Sequence, residues 1–302
     1  MTALMSNYPN GFAQGVSIFG MPILNTYTGN VFYVHSGTGS NSNKGTLQSP
    51  FATIDYAVER CTANNGDLII VKQGHAEVVT AAGGLDLDVA GITVMGMGQG
   101  ANMPTVTLTT ATTADVDIDA ANVTVMGIHF VSGFADIVAG IDVNADDFSL
   151  IGCRFSQSAV DLNALIWVQD AAAGGSDRIT IQGCHVMAID AANTHFVNFA
   201  GTGDGHKVIG NVLIGDWGTM AIGGAGVITN ATVMYNSISN AATTNDAAIA
   251  LAATATGIVM HNYACGGAAQ ANGFTATGCA KAQNYYGVLA EDASAILDPI
   301  AT

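Results

Sequence analysis

VMYNSISNA (residues 233–241) returns as VMHNYACGG (259–267): a Val-Met step, one further residue, then Asn. Asn236 and Asn262 stand 26 residues apart, and little else in the two segments matches. The phrase extends in both directions. Upstream are KVIGNVLI with Asn211, ITIQGCHV with Cys184, FSLIGCRF with Cys153, VTVMGIHF with Ile128 and ITVMGMGQG with Met97. Downstream is AKAQNYYG with Asn284. Successive marked positions are separated by 31, 25, 31, 27, 25, 26 and 22 residues. Self-similarity at a period of roughly 20–50 residues marks a solenoid, propeller or array.

Each phrase holds a short run rich in Val, Ile and Met, bounded by Gly, Asn, Thr or Ala, which reads as strand and turn. A second run of strands precedes it by about eight residues: LDLDV (85–89), VDIDA (116–120), IDVNA (141–145), IWVQD (166–170), FVNFA (196–200), GVITN (226–230) and IALAA (249–253). Several alternate apolar with polar side chains, as a strand with one buried face does. Nothing in the repeat has a helix-length apolar period.

These features predict an all-β fold: a right-handed, single-stranded parallel β-helix of about nine coils, stacked at ~4.8 Å into a rod roughly 40–45 Å long. A β-propeller is the rival, but its repeats approach ~40 residues with four strands each. In a β-helix, like residues at one turn form a ladder. Asn211, Asn236, Asn262 and Asn284 are therefore expected at one turn of four successive coils, their amides hydrogen-bonded along the stack. Asn suits the place because it carries two donors and an acceptor and tolerates left-handed turns. Composition agrees: 302 residues include 37 Gly and are 49% hydrophobic but only 7% aromatic, so small and branched side chains fill a narrow cross-section.

The repeat runs without a linker from Asp67 to Tyr286, which argues for one main domain. Both ends of a solenoid expose strand edges that need covering. SPFATIDYAVERCTANNGD (49–67) reads as a capping helix that starts at Ser49 or Pro50, carries an apolar stripe of Ile54, Ala57 and Val58, and ends at Asn64-Asn65-Gly66. LAEDASAIL (289–297) reads as a short closing helix. The chain thus divides into an uncharged arm and first strand (1–43), a capping-helix region (44–66), the β-helix (67–288) and a C-terminal cap (289–302).

Five widely spaced Cys do not read as a disulfide framework. Cys153 and Cys184 share the ladder position on adjacent coils and read as buried thiols, with a disulfide the alternative. The N-terminus MTALMSNYPNGFAQG has no basic start and no long apolar core, so no signal peptide is expected. No stretch approaches the ~18 consecutive apolar residues of a membrane span.

Charge bounds the function most. The net charge is −16, with seven Lys plus Arg, so no basic stripe for nucleic acid is available, and an acidic polysaccharide such as pectate is repelled. Residues 1–43 contain no Asp, Glu, Lys or Arg, and all thirty charges lie in 44–302. An uncharged arm bearing Phe12, Ile18, Phe19, Met21, Ile23 and Leu24 is poorly soluble if free. Residues 30–43 are read as a first strand laid on the β-helix, and 1–25 as a partner-binding surface.

The segments NYPNGFAQGVSIFGMPI (7–23) and NVFYVHSGTGSNSNKGTLQSPFATIDYAVERCTANNGDLIIVKQGHAE (30–77) resemble the start of a β-helix protein family of tailed bacteriophages, encoded among virion structural genes. The GSNSNKGT…PFATIDYAV…GDLIIV…GH portion is also similar to the wider pectin-lyase-like superfamily. That superfamily holds lyases, glycoside hydrolases, tailspikes and non-catalytic structural proteins, so the resemblance speaks to architecture more than to role.

Catalysis is not the favoured reading. A glycosidase needs two carboxylates roughly 5–10 Å apart across a groove. A lyase of this superfamily needs Ca²⁺ and a nearby base, and the basic candidates are Lys44, Arg60, Lys72, Arg154, Arg178, Lys207 and Lys281. His129 and His185 fall at equivalent positions two coils apart, too far to share a metal. Trp167 and Trp217 are the only Trp.

One constellation stands out. With Leu87, Ile118 and Val143 inward, Asp86, Asp117 and Asp142 stack outward in one column, and Asp88, Asp119 and Asn144 in the next. Unit charges ~5 Å apart repel by roughly 1 kcal/mol in water and by more near protein. Relief comes from protonation, from a bridging Ca²⁺, or from a partner's Lys or Arg; a well-hydrated acidic face is the plain alternative. No other cofactor is implied.

The expected role is a virion structural protein: a decoration (cement) protein on the capsid exterior, made in the host cytoplasm, attached by its arm to the major capsid protein. The resemblance and symmetry logic imply a homotrimer at local three-fold positions. Neither nucleic acid nor membrane is an expected partner. The alternative is a tail fibre or spike that binds or cleaves host-surface polysaccharide.

Overall fold

The computed structural model describes residues 16–18, 21–23, 29–170, 175–242, 247–266 and 273–288. Among them the chain winds through three parallel sheets of ten, nine and eight strands. Each coil contributes one strand to each sheet; the coil at 124–143, for example, uses Thr124–Met126, His129–Ser132 and Ile137–Val143. Strands inside each of these sheets pair in register with their counterparts one coil above and below, as His129 does with Thr105 and Arg154. The fold is a right-handed parallel β-solenoid of eight complete coils with a partial coil at each end, slightly fewer than the nine expected.

The core is a single stripe of inward residues. Ile69, Val94, Val125, Leu150, Ile181, Val208, Val233 and Val259 line the first sheet, and every one is buried. Like side chains stack on like, and Phe130 lies on Phe155 with ring centroids 5.2 Å apart. Trp167 and Trp217 are fully buried. This explains the low aromatic content: the cross-section admits few large rings.

The sequence phrase VxxN marks the corner between two sheets, whose strands are separated by only two residues. Asn236 follows the first-sheet strand Ala231–Met234 and one turn residue, and directly precedes the second-sheet strand Ser237–Asn240. At that turn the four Asn form an unbroken ladder. The Asn211 side-chain Nδ2 and backbone N–H both donate to Asn236 Oδ1, at 2.9 and 3.1 Å. Asn236 repeats the arrangement on Asn262, and Asn262 on Asn284. The second Nδ2 hydrogen of each reaches a first-sheet carbonyl of the preceding coil, at Ile181, Val208, Val233 and Val259. Cys153 and Cys184 continue the column below as free, buried thiols. Burial pushes both thiols up, Cys184 to about 12.

Three local expectations change. Met97 is not in the ladder: the chain leaves the coil there, forms a 3₁₀ turn at Gly100–Asn102, and rejoins so that Pro104, next to Thr105, takes the place below Ile128. GVITN is not in the third sheet. Ile228–Thr229 pairs with Gly203–Asp204 in a separate short piece, and the third-sheet strand of that coil is Met220–Gly223. An alternating pentapeptide fits either place. The helix is shorter than expected, Ile54–Val58, with Thr53 as N-cap. Phe51 is held in a strand-like bridge to Val34, so the helix cannot start at Pro50. Ile54, Ala57 and Val58 are buried as its apolar face. The predicted closing helix at 289–297 lies outside the described residues.

Candidate functional site

The opening motif is consumed by architecture. Asn41 Oδ1 accepts from the N–H groups of Ala52 and Thr53, and Asn43 Nδ2 donates to the Pro50 carbonyl. Gly39 sits where a Cβ would meet the Phe51 carbonyl oxygen at 2.1 Å, so no other residue fits. Asp67, fully buried, accepts from the Asn30 and Thr62 N–H groups and from Asn65 Nδ2. Burial alone pushes this carboxyl up, but the donors together outweigh it and hold it below the usual range. His75 Nδ1 accepts from the Ser36 N–H, which leaves Nε2 to donate to Glu77 at 3.0 Å. Glu77 in turn accepts from the Ile54 N–H at the helix start. These residues clamp the first strand, Val31–Val34, and the helix onto the first complete coil.

The acidic columns lie on the third sheet. Asp117 is paired in register with Asp86 below and Asp142 above. Asp88, Asp119 and Asn144 are exposed in the next column, where Asn144 Nδ2 donates to Asp119 Oδ1 at 2.8 Å. Burial, then neighbouring carboxylates, pushes Asp86 and Asp117 up to about 6 and raises Asp142 as well. One oxygen of Asp86 and one of Asp142 are buried without a hydrogen-bond partner. Among the described residues, no group of three or more His, Cys, Asp or Glu could hold a metal ion. The raised carboxyls take up protons more readily than free ones do, and Asn144 supplies Asp119 with one uncharged donor.

Arg178 is tied to Asp147 through Nε–Oδ1 at 2.6 Å and Nη2–Oδ2 at 2.9 Å, and to Asp146 at 3.2 Å. It borders an open cleft of about 400 Å³ that also holds Thr124, Ser149, Thr180 and Lys207. His129 and His185 share a column with Arg154 between them, and His129 Nε2 meets Ser156 Oγ at 2.8 Å. Burial and Arg154 hold His129 below the usual imidazole range.

Part of the arm is described. Val16–Ile18 and Met21–Ile23 form an antiparallel hairpin, Ile18 opposite Met21 and Val16 opposite Ile23. Phe12, Phe19 and Leu24 lie outside the described residues.

An exposed aromatic edge was not foreseen from the sequence. The residue before each ladder position has positive φ. It is Gly127, Gly152, Gly183 and Gly210 in four coils, then Tyr235 (φ 58), His261 (φ 53) and Gln283 (φ 52). A non-glycine residue there costs about 1–2 kcal/mol. Tyr235 and His261 stack with centroids 5.0 Å apart and planes 4° from parallel. Across the ladder, Tyr263 and Tyr285 stack at 5.3 Å and 8°. Tyr235 is 57% exposed and Tyr263 51%. A search for aromatics at the ladder's flanking positions could have found them; composition could not.

A rhamnogalacturonan lyase has the same coil architecture, with a TM-score of 0.53 at 14% identity over 78% of this chain and 68% of that one. The likeness is one of fold: a right-handed parallel β-helix. A GH136 lacto-N-biosidase from Eubacterium ramulus aligns at a TM-score of 0.42 and 12% identity, over 86% of this chain and 68% of its own. No family model and no curated protein matches the sequence. At these identities the likeness concerns the β-helix alone.

Proposed function

We propose that this β-helix is a structural protein of a tailed-bacteriophage virion, attached through its uncharged N-terminal segment with the acidic coils facing solvent. The supporting observation is the charge division: none of the thirty charged residues lies in 1–43. The first strand, Val31–Val34, pairs at the end of the first sheet, so the segment before it leaves from one end of the solenoid. Apolar burial at ~25 cal/mol per Å² is then the anchoring force. The place in the particle is the capsid exterior, as a decoration protein on the major capsid protein, with a homotrimer suited to local three-fold positions.

Deletion of residues 1–25 tests this. The truncated chain is expected to stay folded and soluble and to lose binding to phage heads. Attachment of the full chain should weaken little in moderate salt, because apolar burial is not screened as ion pairs are. A truncated chain that still decorates heads overturns the proposal.

A second reading, a tail fibre or spike that binds host-surface polysaccharide, is favoured by the exposed aromatic edge. Copy number separates the two: hundreds per particle place the chain on the head, a few to some dozens on the tail.

A further inference from the structure

Residues 217–280 contain a single charged side chain, Asp246, in a chain of net charge −16. The exposed Tyr235 and Tyr263, with the half-buried His261, stand in this near-neutral stretch, and the half-buried Tyr285 just beyond it. We propose that the edge formed by Tyr235, His261, Tyr263 and Tyr285 binds a neutral saccharide chain. This deepens the second reading above and rests on it for the ligand class alone; the site itself rests on geometry.

The first support is an open ring face. His261 covers one face of Tyr235, with planes 4° from parallel. The position one coil before Tyr235 in its column is Gly210, and a Cβ built there, or at Gly183 or Gly152, meets nothing within 4 Å. No side chain of its own column therefore covers the other face of Tyr235, and a bare backbone track three coils long leads to it. A flat π face beside such a track accepts a pyranose, whose C–H faces are apolar and whose rim is hydroxyl.

The second support is the backbone. Tyr235 and His261 hold a left-handed conformation that the four preceding coils assign to Gly. Strain of this kind persists where the surrounding structure over-determines it, and it clusters at ligand sites. The third is the company of the rings. Ser237, exposed, is the column neighbour of Tyr263, and Gln283 follows His261 in the other column. Both offer uncharged donors and acceptors to hydroxyls.

Charge selects among ligands. Polyuronates and nucleic acids would also present stacking surfaces, but both carry dense negative charge and need a basic track. The chain's net charge repels them.

The test is affinity electrophoresis of the full chain through gels containing dextran, a β-glucan or a galactomannan, with polygalacturonate as the charged control. The variant carries Tyr235→Gly and Tyr263→Ser, which copy Gly210 and Ser237 of earlier coils and so preserve folding, checked by an unchanged melting transition. At least one neutral polymer should retard the full chain, polygalacturonate should not, and the variant's apparent association constant should fall at least tenfold. A full chain that no neutral gel retards, or that polygalacturonate retards equally, overturns the proposal. A variant retarded like the parent overturns the site while leaving saccharide binding, and with it the fibre reading, in place.

Discussion

Asn236 binds Asn262 twice across one coil step, its Nδ2 and its backbone N–H both donating to the Asn262 Oδ1, at 2.9 and 3.0 Å. Both residues are fully buried, so each amide that is removed leaves its neighbours' donors and acceptor without water to turn to. Asn236→Ala or Asn262→Ala should destabilise by about 1–3 kcal/mol in denaturant unfolding. Equal losses from Ala at an exposed turn Asn such as Asn102 would show that the ladder has no special weight.

The buried Asp67 and the half-buried acidic column have opposite pH signatures. Asp86 and Asp117 bind protons more readily folded than unfolded, so stability falls as pH rises from about 4 to about 6, where their raised values lie. Asp67 is held below its ordinary value, so its contribution is present above pH ~4 and is lost as pH falls further. The melting temperature should therefore peak between about pH 4 and 5. Asp117→Asn should flatten the upper limb and stabilise at pH 7 by roughly 1 kcal/mol after allowance for solvent screening. A melting temperature that still rises between pH 5 and 7 contradicts this account.

Glu77→Ala should open the N-terminal end first. The change strands the buried His75 Nε2 and the Ile54 N–H together, at about 2–3 kcal/mol. Hydrogen exchange should quicken at 31–34 and 54–58 before it does in the central coils. Uniform quickening along the whole solenoid would mean that the clamp is not a local unit.

Cysteine labelling should follow burial. Cys153 and Cys184 are 1% exposed, with thiols pushed up by burial, so a thiol reagent should reach them only on unfolding. Cys61 and Cys265 are both partly exposed, and Cys265 should react first because burial pushes the Cys61 thiol up to about 12. Rapid native labelling of Cys184 would indicate that the coils open locally.

Tyr235→Gly alone should be nearly neutral for stability. It removes a left-handed strain of about 1–2 kcal/mol and loses a ring stack worth about 0.5–1.5 kcal/mol. A loss above 3 kcal/mol by chemical denaturation would show that the ring packs more deeply than its exposure indicates.

The sequence by itself determined the solenoid and its ladder. A coil must return to the same turn with a side chain that bonds to its own copy, and that requirement writes Asn211, Asn236, Asn262 and Asn284 at coil-length intervals. Inward apolar residues recur for the same reason, and the paired Asp86, Asp117 and Asp142 follow from alternation. Tertiary structure alone decided the rest. Met220–Gly223 joins the third sheet and Ile228–Thr229 a separate short piece although Ile222 and Ile228 are both fully buried, so inward packing alone does not distinguish them. The helix begins at Thr53 because Phe51 is drawn to Val34 and Glu77 reaches Ile54 from another coil. The aromatic edge exists only because neighbouring coils bring Tyr235 onto His261 and Tyr263 onto Tyr285, at separations that the chain covers in more than twenty residues and the stack in about 5 Å. Periodic contacts repeat in the sequence and can be read there; contacts made once, between unlike residues of different coils, leave no period to read.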